Sequence, residues 1–349
     1  MLIFLLSLHQ AIGRFCSGFS CASILELIDI NSCIYQVGDT FELSICIDEF
    51  YSYCSPNKNN TQCTLPPITT DVNISYPGEP CFYDRSCQDS ICVNSICQGL
   101  DANMECDTTN QCNPGLYCNI TCQPLSGIGA PCLNNQGQFD DSICLYNLLC
   151  HQGVCTEIFS FDAGSLVDEC DNNISLLCKS GYCIPDLSGD NICVGIYPTN
   201  GSLPKKCSNN GDCVINDPVL SYTTTCDCGY NTNSDAFCGL GPGDKYFVDM
   251  IDLYKIWLNS KNVTNCNTKR RLEKSCYEFY GGNELAINLT YYSLLYSNYA
   301  GVQENDKCVK EIYMSDYWNA YEDFISQPVP EKKKSSAVIL VLASLFYMI

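Results

Sequence analysis

Histidine is almost missing from this chain: His9 and His151 are the only two in 349 residues. Zinc sites of the usual kind want imidazole or closely spaced thiols, and no Cys-x-x-Cys pair occurs between Cys81 and Cys193. Basic charge is also scarce. Lys and Arg number 18 against 39 Asp and Glu, a net charge of −21, which excludes a nucleic-acid backbone as partner. The apolar stretch Ala337 to Ile349 has thirteen residues, short of the roughly 20 that a helix needs to cross a bilayer. What is abundant is cysteine, with 30 residues. That load in a nearly histidine-free chain implies disulfides and an oxidising compartment.

Both ends carry targeting features. Leu2 to Leu8 is an apolar run followed by Ala11-Ile12-Gly13, the pattern of a secretory signal cleaved before Arg14. Lys332-Lys333-Lys334 precedes the apolar tail. A spanning tail would leave these lysines outside, against the positive-inside tendency. The pattern is better read as a lipid-anchor signal, with Ser326 as one attachment candidate; a short membrane span and a soluble tail are the alternatives.

Four-cysteine units repeat through the middle of the chain: 81, 87, 92, 97; then 106, 112, 118, 122; then 132, 144, 150, 155; then 170, 178, 183, 193. Gly78-Glu79-Pro80-Cys81 and Gly129-Ala130-Pro131-Cys132 open two of them, and Met104-Glu105-Cys106 and Asp168-Glu169-Cys170 hold the same place in the others. Each closes on a pair of cysteines, as in Leu149-Cys150 and Val154-Cys155, which reads as a small hairpin with bridged ends. Units this small cannot bury enough apolar surface to fold alone, and two bridges each compensate. Spacing leaves all three pairings open. The pattern resembles the cysteine-rich modules of Dickkopf-like and nematode EB-type extracellular proteins.

Cys207, Cys213, Cys226-Asp-Cys228, Gly229-Tyr230 and Cys238 resemble the later part of an EGF-like domain. The resemblance implies bridges from Cys207 to Cys226 and from Cys228 to Cys238, with Cys213 looking upstream to Cys193. It implies no calcium, because Pro204-Lys205-Lys206 stands where acidic residues belong.

From Gly243 the texture becomes helical. Tyr246, Phe247, Met250, Ile251, Tyr254, Trp257 and Leu258 form an i, i+3/i+4 ladder with Asp244 as N-cap,. Further ladders run over Leu272 to Tyr280, Leu285 to Tyr296, and Cys308 to Phe324, together a small bundle. Cys266 and Cys276 lie about 15 Å apart on a continuous helix, so Cys276 is expected to staple to Cys308. Parity then sends Cys266 to the EGF-like segment. Near the start, Tyr35-Gln-Val37 and Phe41 to Ile45 alternate around Gly38-Asp39 as a hairpin,.

The expected fold class is therefore small disulfide-rich modules of short β-hairpins and loops in tandem, followed by a mainly α-helical small bundle, with an N-terminal signal and a C-terminal hydrophobic tail. The divisions are 1–13 signal, 14–75 cysteine-rich β segment and linker, 76–200 four-cysteine modules, 201–240 EGF-like segment, 241–326 bundle, and 327–349 anchor signal.

No catalytic constellation stands out. His151 would be the one histidine left for a nucleophilic mechanism, and it reads as an exposed hairpin residue. Asp48-Glu49, Asp140-Asp141 and Asp168-Glu169 read as solvated faces. The chain is expected to be no enzyme and to hold no metal or cofactor. Asn59, Asn73, Asn119, Asn173, Asn200, Asn262 and Asn288 are N-glycosylation sequons,. The expected role is a coat, adhesion or receptor-like protein on the outer face of the plasma membrane, attached by its tail, with other surface proteins or glycans as partners. That plan resembles lipid-anchored surface proteins of ciliates. A secreted ligand or inhibitor is the alternative.

Overall fold

The computed structural model describes residues 75–303 and 315–327 apart from breaks at 82–86, 89, 135, 169, 172–173, 187 and 230–233, together with Cys16 and five strands before residue 65. Those strands are β1 (Gly18–Phe19), β2 (Ser32–Val37), β3 (Thr40–Ile45), β4 (Tyr53–Cys54) and β5 (Cys63–Thr64). β2 and β3 form the expected hairpin, with Val37 opposite Thr40. Residues 1–13, the tail 328–349, Cys308, Asn59, Asn73 and Asn173 lie outside the described residues.

Each four-cysteine unit folds as a hairpin. The strands are β6 (Ile91–Val93) with β7 (Ile96–Gln98), β8 (Leu116–Asn119) with β9 (Thr121–Pro124), β10 (Leu148–His151) with β11 (Val154–Glu157), and β12 (Cys183–Pro185) with β13 (Asn191–Cys193). The third and fourth cysteines of every unit stand directly opposite each other, as Cys92 does Cys97. They are not bridged to one another as expected. The first cysteine takes the third and the second takes the fourth: Cys81–Cys92 with Cys87–Cys97, Cys106–Cys118 with Cys112–Cys122, Cys132–Cys150 with Cys144–Cys155, and Cys170–Cys183 with Cys178–Cys193. Two cysteines facing across a hairpin present both sulfurs to one side, where the preceding loop supplies their partners. Each bridge is worth roughly 2–4 kcal/mol, and the paired sulfurs form the unit's small core.

A backbone clamp repeats with them. Gly78, Asn103, Gly129 and Gly164 each take a left-handed φ, and each donates its N–H to the carbonyl of the unit's last cysteine at 2.8 Å. Asparagine substitutes for glycine in the second unit because it tolerates this region. The clamp also corrects the fourth unit's register. Gly164, not Asp168, opens it, and the Val167 N–H bonds the Asn191 carbonyl as Cys81 bonds Ser95. Cys170 follows three residues later.

The next segment, 201–240, contains β14 (Lys206–Cys207), β15 (Val214–Ile215), β16 (Tyr222–Thr223), β17 (Cys226–Cys228) and β18 (Ala236–Cys238). Its bridges are Cys207–Cys226 and Cys213–Cys238, with Cys226 facing Cys238. This is the same first-to-third, second-to-fourth plan, so the segment is a fifth module. Cys228 does not join Cys238, and Cys213 does not reach Cys193. The extra cysteine, Cys228, bridges Cys16 across 212 residues.

Four helices follow: α1 (Lys245–Leu258), α2 (Lys274–Tyr280), α3 (Asn283–Asn298) and α4 (Ser315–Ser326). α3 is central and touches the other three. Asp244 precedes α1 without capping it through its side chain. Its carboxylate instead accepts from the Thr199 N–H at 3.1 Å, the Thr199 hydroxyl at 2.8 Å and the Gly241 N–H at 2.6 Å. Cys276 bridges Cys266, so neither the staple to Cys308 nor a bridge from Cys266 to the fifth module forms. No continuous helix separates the two cysteines: the chain folds through a 3-10 turn at Thr268–Arg270, bringing their Cα atoms to 5.9 Å.

Modules and helices do not form a rod with a bundle at one end. Phe247 and Met250 of α1 pack with Tyr182, Ile184, Ile192 and Val194 of the fourth module. Trp257, Leu258 and Val263 pack with Tyr146 and Ile158 around the third. Gly181 is needed here, because a Cβ would sit 2.5 Å from Ile251 Cδ1. The first module docks as well: buried Glu79 takes Arg270 Nε at 3.2 Å, and the Tyr280 hydroxyl donates to the Gly78 carbonyl.

Proteolysis of the oxidised protein followed by mass spectrometry is expected to yield the pairs Cys81–Cys92 and Cys213–Cys238. A Cys92–Cys97 or Cys228–Cys238 peptide would contradict the connectivity.

Candidate functional site

Where the third, fourth and fifth modules face α1, α3 and the 268–272 turn, they leave a cleft of about 1210 Å³. Apolar side chains including Leu149, Leu176, Leu177, Leu240 and Met250 line part of it. Tyr254, Tyr296 and Tyr299 line the helical side, with Ser293, Ser297 and Asn298 beside them. Helical periodicity explains the wall, since residues three and four apart on α3 share a face.

Arg271 is 4% exposed and lines the cleft from the turn between Cys266 and α2. Its guanidinium donates to the Thr268 carbonyl at 2.6 Å and to the Leu148 carbonyl of the third module at 3.2 Å. Burial pulls its pKa below the usual range, while Asp141, Tyr146 and Asp140 act in the opposite direction. The Trp257 indole N–H closes the arrangement on the Arg271 carbonyl at 2.6 Å. Arg271 thus joins module to helices through backbone oxygens, a task its planar fork suits better than lysine's single ammonium would.

His151 is 8% exposed, not an exposed hairpin residue. Its Nδ1 lies 3.0 Å from Asp168 Oδ2, and its ring meets Phe161 edge-on at 5.0 Å. Both partners belong to the next module, and the pair sits on the cleft wall. Asp140 and Asp141, expected as a solvated face, have structural work instead. Asp140 Oδ1 accepts the Ser142 N–H at 2.9 Å, and Asp141 Oδ1 accepts the Cys150 N–H at 2.5 Å. The Asp-x-Ser spacing was the available signal, being a helix-cap pattern. Asp48 and Glu49 lie outside the described residues.

The cysteine sulfurs approach within 4.8 Å in threes, as at Cys81, Cys87 and Cys97. Those sulfurs are all bridged, and no cysteine among the described residues is free. A bridged sulfur is no thiolate ligand. Among the expected glycosylation positions, Asn119, Asn200 and Asn262 are exposed, whereas Asn288 is half-buried on α3 beside buried Thr290.

Burial pushes the Tyr296 and Tyr299 hydroxyls up to about 12, and raises Tyr254 as well, partly offset by its bond to Ser293. The cleft therefore presents phenolic O–H groups, which donate and accept hydrogen bonds without carrying charge. Hydroxyls, amides, carboxylates and aromatic faces surround its apolar floor, the make-up common to ligand clefts.

The chain is a cysteine-rich protein of tandem disulfide-bonded modules, of the extracellular type. No protein-family model, curated protein or solved structure matches it. Among the described residues, no helix is long and apolar enough to cross a membrane.

Arg271→Met is expected to lower the unfolding free energy by about 2 kcal/mol in denaturant titration with the bridges intact, because two buried carbonyls lose their donor. A change within error would remove Arg271 from the interface argument. An ultraviolet titration is expected to show tyrosines ionising near pH 12. The folded state holds these protons more tightly than the unfolded chain, whose tyrosines titrate near 10. The stabilisation is complete below pH ~10 and is lost as pH rises through about 12.

Proposed function

We propose that this is a non-enzymatic surface protein of the secretory pathway, held at the outer leaflet by a lipid that replaces its apolar tail, whose module–helix cleft binds a partner. The carrying observation is oxidation: every cysteine from Cys81 to Cys276 is bridged, a state that persists outside the cytosol. The likeness of the units to Dickkopf-like and EB-type modules supports an extracellular role. So does the resemblance to lipid-anchored ciliate surface proteins. The lysine triplet before an apolar stretch is compatible with lipid attachment. A coat, adhesion or receptor-like role would use the cleft in the same way, by binding without chemistry.

A phosphatidylinositol-specific lipase is expected to release the tagged full chain from intact cells, with glycans at Asn119, Asn200 and Asn262 but not at Asn288. Protein found in the medium without lipase would support a secreted ligand and overturn surface display. Extraction by detergent alone would overturn the lipid anchor.

A further inference from the structure

We infer that the cleft and its lip on the third module dock a cationic protein segment carrying an exposed apolar side chain. At about 1210 Å³ the cleft is larger than the ~300–1,000 Å³ of ordinary small-molecule pockets,. An extended peptide side of a partner fits such a volume.

The lip supplies the apolar contact. Phe139 lines the cleft mouth yet is 62% exposed, and Leu133, bridged to it through the backbone, is 48% exposed. Both pack over Gly153, where a Cβ would stand 3.5 Å from Phe139 Cε1 and 4.0 Å from Leu133 Cδ2. Neither side chain is needed inside the module, whose core is sulfur and aliphatic side chains. An exposed aromatic beside a cleft is the kind of residue on which binding energy concentrates.

Charge selects the partner. Asp140, Asp141, Asp168, Asp171 and Asp227 line the cleft against Lys269 and Arg271. The two cations differ: Arg271 is buried and bonded to backbone carbonyls, and Lys269 is exposed. Asp168 and Asp171 are exposed on the fourth module. The excess is therefore negative at the rim, within a chain of net charge −21. Such a field speeds encounter with a basic surface and repels an anionic one.

The inference rests on the cleft being the binding surface, and the test separates the two. Fluorescence anisotropy with the oxidised full chain would use a labelled Lys/Leu peptide, its Glu/Leu counterpart and a neutral oligosaccharide. The Lys/Leu peptide is expected to bind and to weaken as salt rises. Phe139→Ser and the double variant Asp168→Asn with Asp171→Asn are each expected to weaken it by about tenfold. Glu105→Gln with Asp107→Asn, an equal charge change on the second module, is expected to leave it unchanged. Equal weakening by that control pair would mean that binding follows net charge alone and would overturn the inference. Binding of the oligosaccharide or the Glu/Leu peptide in place of Lys/Leu would overturn the cationic partner but keep the cleft as a binding site. Binding of none of the three would overturn both.

Discussion

Beneath each hairpin two disulfides cross, the first cysteine to the third and the second to the fourth, and the remaining architecture depends on that crossing. A module of about 25 residues has too little apolar side chain to close a core. Crossed cystines supply one from sulfur and close overlapping loops in the unfolded chain. In the third module, Cys132, Cys144 and Cys155 are almost wholly buried with Ile143 and Leu148. Tyr146 is thereby left to pack against the helices. In the fourth module Tyr182, Ile184, Ile192 and Val194 face outward in the same sense and become half of another core.

The helices complete what the modules begin. α1 buries Phe247 and Met250 against one module and Trp257 near another. Full burial of such side chains stabilises by roughly 1.5–3 kcal/mol each. Polar ties then orient the contact. Arg271 reaches the Leu148 carbonyl, Glu79 receives Arg270, and Tyr146 donates to the Cys266 carbonyl at 2.7 Å. Each buried polar group in these ties has a partner across the contact, so sliding the two parts would strand it. The cleft is the space left where three rigid modules meet two helices. Its walls are held by covalent bonds on one side and by packed aromatics on the other.

Much of this plan is legible in the residues. Cysteine repetition marks the units, and 3.6-residue periodicity places all four helices, because both are local patterns. Asp244 was legible as a residue at a helix start, but not as the acceptor for Thr199, which lies 45 residues away. The fourth unit misaligned because its first cysteine follows Val167 instead of occupying that place, a shift that only the backbone clamp reveals. His151 looked exposed because it sits in a tight hairpin, between Cys150 and Gln152. Phe161 and Asp168, which cover it, arrive from the next module.

The amino-acid sequence by itself determined the cysteine-rich character, the first four units and the helical character of the region after Gly243. These follow from composition and short-range spacing. The disulfide pairing, the docking of modules onto helices and the cleft were decided only in three dimensions. Three pairings share one spacing, so the geometry of facing strands must choose among them. A cleft belongs to surfaces that approach across more than a hundred residues, as Tyr146 and Cys266 do, and no local pattern records that approach.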